Sequence, residues 1–227
     1  MGSRAPHATR RRQGTRAGLD LDQVLDAACS IDAERLTMQA VASVLGVDRK
    51  AVNHYVSDRE TLRRLVAVEA FSRSFSAVTI PAECDWREAS RIYGHGIAAA
   101  VTALGPLAGQ VRVGASADAL LLAVTETVLA KFVEGALDLE MSVRAVSLLA
   151  EISDAHGRGV ALMAAKGAGR RHRWLQEVLD ERPEARPHYL GELAESQLNT
   201  YDARQLDLSI EIFILGVEAL AGGAAVR

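Results

Sequence analysis

Between Leu45 and Leu62 the sequence runs LGVDRKAVNHYVSDRETL, and five residues in it suit chemistry on an anionic partner: Arg49, Lys50, Asn53, His54 and Tyr55. A guanidinium or ammonium pairs with guanine edges or phosphate, and a carboxamide pairs bidentately with adenine. The alternative is a wetted helix face. That accounts for Arg49 and Lys50, but Asn53, His54 and Tyr55 stand where better helix formers are expected on a plain surface. Catalytic patterns are missing: the chain holds no G-x-S-x-G, no Gly-rich phosphate loop and no H-E-x-x-H. His95, Glu151 and His156 would form an acid–base or metal site only if folding gathered them, and their spacing gives no reason to expect it. A helical-bundle enzyme is therefore the minor alternative, and no cofactor or metal is expected.

Those five residues need a scaffold, and the flanking pattern supplies one. Thr37 opens a helix over MQAVASVL, Gly46 closes it, and a third helix over residues 48–56 starts at Asp48. Val41, Leu45, Val47 and Val52 point inward, Ala42 lets the two helices approach, and Gly46 supplies a turn with positive φ. Eight residues, a glycine turn and a second short helix is the spacing of a helix-turn-helix, whose second helix enters the major groove. Upstream, Leu21, Val24, Leu25, Ala28 and Ile31 predict an amphipathic helix capped by Asp20, with Cys29 beside its apolar face. Downstream, Ser57 and Glu60 predict a capping box, with a fourth helix running to about Thr79. Asp85 and Glu88 predict a second box after Pro81, opening a helix to about Leu104. Further helices are expected over 117–135, 140–166, roughly 170–181 and 203–221, with RPEARP interrupting before the last. No strand or repeat is expected, so the fold class is all-α.

The composition agrees. The 227 residues are 49% hydrophobic and 24% charged, enough for a small domain beside a larger one. The net charge of −3 is unevenly spread: residues 1–64 hold 11 Lys/Arg against 8 Asp/Glu, and the remainder carries −6. A basic N-terminal quarter on an acidic body suits a nucleic-acid-facing end. Residues 1–17, with Arg10, Arg11, Arg12 and Arg16, are expected to be a flexible basic arm. Cys29 and Cys84 form no disulfide or metal pattern, which points to the reducing cytoplasm. No apolar stretch follows the basic start as a signal peptide would require, and runs such as ALLLAV are too short to span a bilayer.

The stretch from Leu19 to about Leu65 resembles the N-terminal domain of the tetracycline-repressor (TetR) family of transcriptional regulators. The resemblance is carried by LDLDQVLDAA, LTMQAVASVLGV, AVNHYVSDRETL and the long fourth helix, and more weakly in the body by DWREA and LSIEIFILGVEAL. It implies an N-terminal helix-turn-helix domain over 18–80, and a helical effector-binding and dimerisation domain over 81–227. It also implies a homodimeric repressor on a two-fold DNA operator, released by a small-molecule effector. Position by position, Thr37 falls on a phosphate-contacting hydroxyl, and Gln39, Arg49 and Lys50 on base- or backbone-facing positions. Arg59 falls on a phosphate-contacting lysine. Asn53 stands where the family has Tyr, and Tyr55 where it has His. Asn53 then joins the base readers, Tyr55 the phosphate contacts, and His54 lies between the two roles. The connection DAERLT is shorter than the family's and lacks its glycine.

For the effector, the candidates are polar groups on apolar helical faces: Tyr93 and His95, in a helix loosened by Gly94 and Gly96, with Thr125 and His156. Each such residue is more often a satisfied core residue or a helix–helix hydrogen bond. Aromatics make up 4% of the chain, which argues against a pocket of several rings. Along the 140–166 helix, Arg144, Ser147, Glu151, Asp154 and Arg158 predict a wet face. Leu149 and Ile152, with Val146, Val160 and Met163, line its other side. Leu208, Ile212 and Leu215 repeat at similar spacing in the last helix. These stripes predict a dimer seam or, equally, an intramolecular core. A regulator controlled by a protein partner, or with no effector, remains the alternative within DNA binding.

Overall fold

Five short polar side chains decide where helices begin. Asp20 accepts from the Gln23 amide at 2.8 Å and opens α1, Leu21–Cys29. Thr37 accepts from the Ala40 amide at 3.1 Å and opens α2, Met38–Leu45, which ends at Gly46 with φ 64°. Asp48 accepts from the Lys50 amide at 2.7 Å and opens α3, Arg49–Asn53. Asp58 opens α4, Arg59–Phe75, and Asp85 opens α5, Trp86–Ala103. Each such cap is worth about 1 kcal/mol. A 3₁₀ turn, Gly105–Gln110, precedes α6 (Ala119–Gly135), α7 (Leu139–Lys166), α8 (Arg170–Asp180), α9 (His188–Glu195) and α10 (Ala203–Ala224). The computed structural model describes residues 18–111, 119–135, 137–166, 170–181, 187–196 and 198–224, and no strand occurs among them. The expected basic arm lies outside the described residues, as does most of RPEARP. No helix among the described residues is long and apolar enough to cross a membrane.

Four expectations about the helices change, the first being that α3 ends at Asn53 rather than at residue 56. The cap of α4 is Asp58 rather than Ser57: the carboxylate accepts from the Thr61 amide at 2.8 Å, while the Ser57 hydroxyl donates to Asp58 at 2.7 Å. Those bonds, the Thr61 amide first, hold the Asp58 carboxyl below the usual carboxylate range. Helix α4 also stops at Phe75, short of Thr79. Finally, α9 was not expected. It starts directly after Pro187 and is tied to α8 by Gln176 donating to the Ala194 carbonyl at 3.0 Å.

One apolar core runs from Val24, Val41 and Val52 of the first three helices to Phe213 and Val217 of α10. Helix α4 packs against α1 at one end of that core and against α5, α6 and the 3₁₀ turn further along it. Leu62 and Val66 are buried near its start, and Phe71 and Phe75 near its end. All four phenylalanines of the chain are buried, each worth about 1.5–3 kcal/mol. Phe71 stacks on Phe75 at 5.5 Å and Phe75 meets Tyr93 edge-on at 6.1 Å. Trp86 lies 5.3 Å from Phe132, which lies 6.2 Å from Phe213.

Helices α5 and α7 pack closely because glycine faces the contact from each. A Cβ at Gly157 would lie 2.7 Å from the Ala98 carbonyl oxygen, and one at Gly94 3.1 Å from the Ser153 hydroxyl of α7 and 2.9 Å from Ile210 of α10. Gly94 and Gly96 therefore do not loosen α5, which stays helical through both; they admit its neighbours. Helix α10 runs antiparallel to α5 along three polar rungs: Arg87–Glu218 at 2.5 Å, Arg91–Glu211 at 2.7 Å and His95–Asp207 at 3.1 Å. The expected wet face of α7 is wet only in part. Asp154 and Arg158 are partly buried and paired at 2.8 Å, and Arg158 also donates to the carbonyls of Ala108 and Val111 at the end of the 3₁₀ turn.

Candidate nucleic-acid interface

The α2–α3 unit is held from within. Val41, Ala42 and Val52 are fully buried, Val56 nearly so, and the Val47 amide returns to the Ala42 carbonyl at 3.0 Å across the Gly46 turn. Glycine at φ 64° carries no Cβ penalty there. With Val52 fixed inward, Arg49, Lys50, Asn53 and His54 lie exposed. The Arg49, Lys50 and Asn53 side chains hydrogen-bond to no described residue. His54 makes only an edge contact with the Tyr55 ring at 5.3 Å. Gln39 is exposed on the first turn of α2. Thr37 uses a lone pair on the Ala40 amide, which leaves its hydroxyl proton to give. These six of the eight expected DNA-facing residues lie on the α2–α3 unit with donors to spare.

The other two have partners within the chain. Tyr55 donates its hydroxyl to the Leu19 carbonyl, which fixes the entry to α1. Arg59 donates from Nε to the Leu36 carbonyl at 2.9 Å and from Nη2 to Glu34 at 3.5 Å. Arg63, not singled out in the sequence, donates from Nη1 to the Ala33 carbonyl at 2.8 Å. Together they hold the glycine-free connection between α1 and α2. The signal for this was present as two arginines four apart on one face of α4, but nothing in their spacing said which carbonyls they would reach.

The four effector candidates fall into two pairs. The Tyr93 and Thr125 hydroxyls are 2.9 Å apart, joining α5 to α6, and Tyr93 is only 2% exposed. Burial pushes the Tyr93 phenol up, with the Thr125 bond opposing. On another part of α5, His95 pairs with Asp207 of α10, and His156 of α7 is half-buried nearby. Burial pushes the His156 imidazole below its ordinary value, Asp202 opposes that, and His95 adds to it. Among the described residues no group of His, Cys, Asp and Glu could hold a metal ion.

The two apolar stripes also separate. Leu149 is 0% exposed and Ile152 packs against the core, so the α7 stripe is internal; the close α5–α7 contact uses it up. On α10, Leu206, Ile210, Phe213, Ile214 and Val217 are buried, yet Leu208, Ile212 and Leu215 are 53%, 60% and 62% exposed, with Leu220 beyond them. That helix is apolar on both faces and covers only one of them. Trp174 and Val178 of α8 add exposed apolar surface four residues apart.

No family profile and no curated protein matches this sequence. Solved structures do. Apo ActR from Streptomyces coelicolor superposes with a TM-score of 0.68 at 23% identity, over 92% of this chain and 100% of that one. ActR, a TetR family protein, in complex with actinorhodin gives 0.68 at 20% identity, over 92% and 99%. A TetR variant from Acinetobacter baumannii AYE in complex with minocycline gives 0.61 at 14% identity, over 89% and 95%. The chain has the all-α fold of these TetR-family regulators.

Proposed function

We propose that this chain is a TetR-family transcriptional regulator. It acts in the cytoplasm as a homodimeric repressor that binds a two-fold operator in duplex DNA and is released by a small-molecule effector. One observation carries the DNA-binding part: the second helix of a helix-turn-helix presents Arg49, Lys50, Asn53 and His54 outward, with no partner for the first three inside the described chain. Exposed donors of this kind match phosphate and base-edge acceptors in the major groove. Residues 18–80 then serve as the reading domain and 81–227 as the body. The basic arm would add salt-dependent affinity that does not depend on sequence.

A single helix-turn-helix binds weakly, whereas two on a dyad read a two-fold site. The uncovered α10 stripe supports a second copy as its cover, because apolar surface of that extent marks an association site. The effector reading is supported by two neighbours of the same fold that hold small molecules, actinorhodin and minocycline. It is supported also by position. Tyr93 and Thr125 place two hydroxyls beside Phe75, at the far end of the helix that begins in the reading domain. An effector seated against this pair would displace α4, alter the separation of the two reading domains, and so lower operator affinity.

The test is binding to a duplex enriched from a random library. Wild type is expected to shift it at nanomolar protein, and the Arg49→Ala/Lys50→Ala/Asn53→Ala variant to lose that binding while melting at the same temperature. Equal binding by the two proteins would remove α3 from the interface. A thermal-shift screen with small lipophilic metabolites is expected to find a ligand that also releases the duplex. A bound ligand that leaves duplex affinity unchanged would refute the effector mechanism.

A further inference from the structure

The connection between α1 and α2 is short and has no glycine, yet its main chain stays away from positive φ. Its carbonyls are held from outside. Arg59 reaches those of Leu36 and Glu34, and Arg63 reaches that of Ala33. Leu36 is fully buried, and the next residue is Thr37, the cap of α2. Residues four apart on a helix share a face, so both guanidiniums leave α4 toward the same segment. A planar guanidinium can serve two carbonyls at once, and charged donors make the stronger hydrogen bonds.

We propose that Arg59 and Arg63 are positioning residues that lock the start of α2 to α4, so that the reading helices move with α4 as one body, and that Arg59 is not a phosphate contact. The inference rests on the regulatory reading above and gives it a mechanical link. Phe71 and Phe75 embed the far end of α4 in the body, with Phe75 against Tyr93. A displacement there reaches Thr37, Gln39 and the helix pair through two guanidinium clamps. Without them the α1–α2 connection would absorb it. The segment makes its own turn, with the Arg35 amide donating to the Asp32 carbonyl at 2.9 Å, and the two guanidiniums tie that turn to α4.

The experiment combines amide exchange with the salt dependence of duplex binding. Arg59→Gln removes the charge and keeps a donor, Arg63→Met removes the donors, Arg63→Lys restores one, and Lys50→Gln is the control on α3. Exchange at Ala40 and Val41, whose amides bond to Thr37, is expected to rise about tenfold in Arg59→Gln and Arg63→Met, the loss of about one charge-assisted bond. It should return toward wild type in Arg63→Lys and stay unchanged at Val66 and Ala67. The salt slope is expected to fall by about one in Lys50→Gln and to hold in Arg59→Gln. A slope lowered by about one in Arg59→Gln, or unchanged exchange at Ala40 and Val41, would overturn the proposal. Global unfolding of Arg63→Met would show at Val66 and Ala67 too, and Arg59→Gln then carries the test. Failure of wild type to bind any duplex would count against the regulatory reading instead, because the exchange result needs no DNA.

Discussion

The outer face of α3 and its C-cap present Arg49, Lys50, Asn53 and His54, and the outer face of α10 presents Leu208, Ile212, Leu215 and Leu220. Both are exposed in the single chain, and water treats them oppositely. The polar face is well hydrated, so nothing compels it to be covered; a partner must offer acceptors better placed than water. The apolar face loses about 25 cal/mol for every Å² left uncovered, so it is driven toward association whatever the DNA does. Salt should therefore separate the two. Raising it weakens contacts made by cations to phosphate and leaves an apolar seam intact or strengthened. Dimerisation is then expected to rest on apolar burial and DNA recognition on charge and hydrogen bonding, with α4 joining the reading domain to the body.

The largest effect should come from breaking the apolar face. Placing Ile212→Asp and Leu215→Asp together sets carboxylates in the seam, and sedimentation is expected to show a monomer. Operator affinity should then fall by about a hundredfold or more, the usual gain from joining two sites. A variant that stays dimeric would move the interface off α10. Next comes the face that looked similar in sequence but is internal. Leu149→Ala is expected to lower unfolding free energy by about 2–5 kcal/mol in denaturant titration, without changing the dimer's dissociation constant; Leu208→Ala should do the reverse. Smaller again, Lys50→Ala should weaken duplex binding about tenfold and reduce the salt slope by about one, leaving sedimentation unchanged.

The smallest effect lies away from both faces. His156 is held below its ordinary value by burial, so the unfolded chain takes up the proton first as pH falls. Stability should be fully present above about pH 7 and decline through about pH 6.5 toward the lower folded-state value. His156→Gln is expected to flatten that part of the melting-temperature profile between about pH 8 and 5, and an unaltered profile would assign the dependence to other groups.

What could be seen in advance follows from the range of each interaction. The caps at Asp20, Thr37, Asp48 and Asp85 act within two or three residues of themselves, and Gly46 acts on its own φ, so spacing was enough to place α1, α2, α3 and α5. Ser57 and Asp58 are adjacent and both able to cap, and only the stronger acceptor, seen in place, decides between them. Helix α9 has eight residues behind a proline-rich stretch, too few for a periodic pattern to show. Of the site, the exposed set on α3 was legible because Val52 fixes which side faces in. The roles of Tyr55, Arg59 and Arg63 were not, because their partners lie 23 to 36 residues away and are main-chain carbonyls that carry no side-chain signature. The Tyr93–Thr125 contact, 32 residues apart, was seen as two residues and not as a pair.

Two copies of this chain, joined along α10, are expected to place two α3 faces on one duplex. Hydroxyl-radical footprinting of a duplex enriched from a random library tests it most directly. Two protected patches are expected, related by a two-fold axis and centred about one helical turn, roughly 10 base pairs, or a multiple of that apart. Both should vanish in the Ile212→Asp/Leu215→Asp variant. A single unsymmetrical patch that survives in that variant, or no enrichment over the starting library, would contradict it.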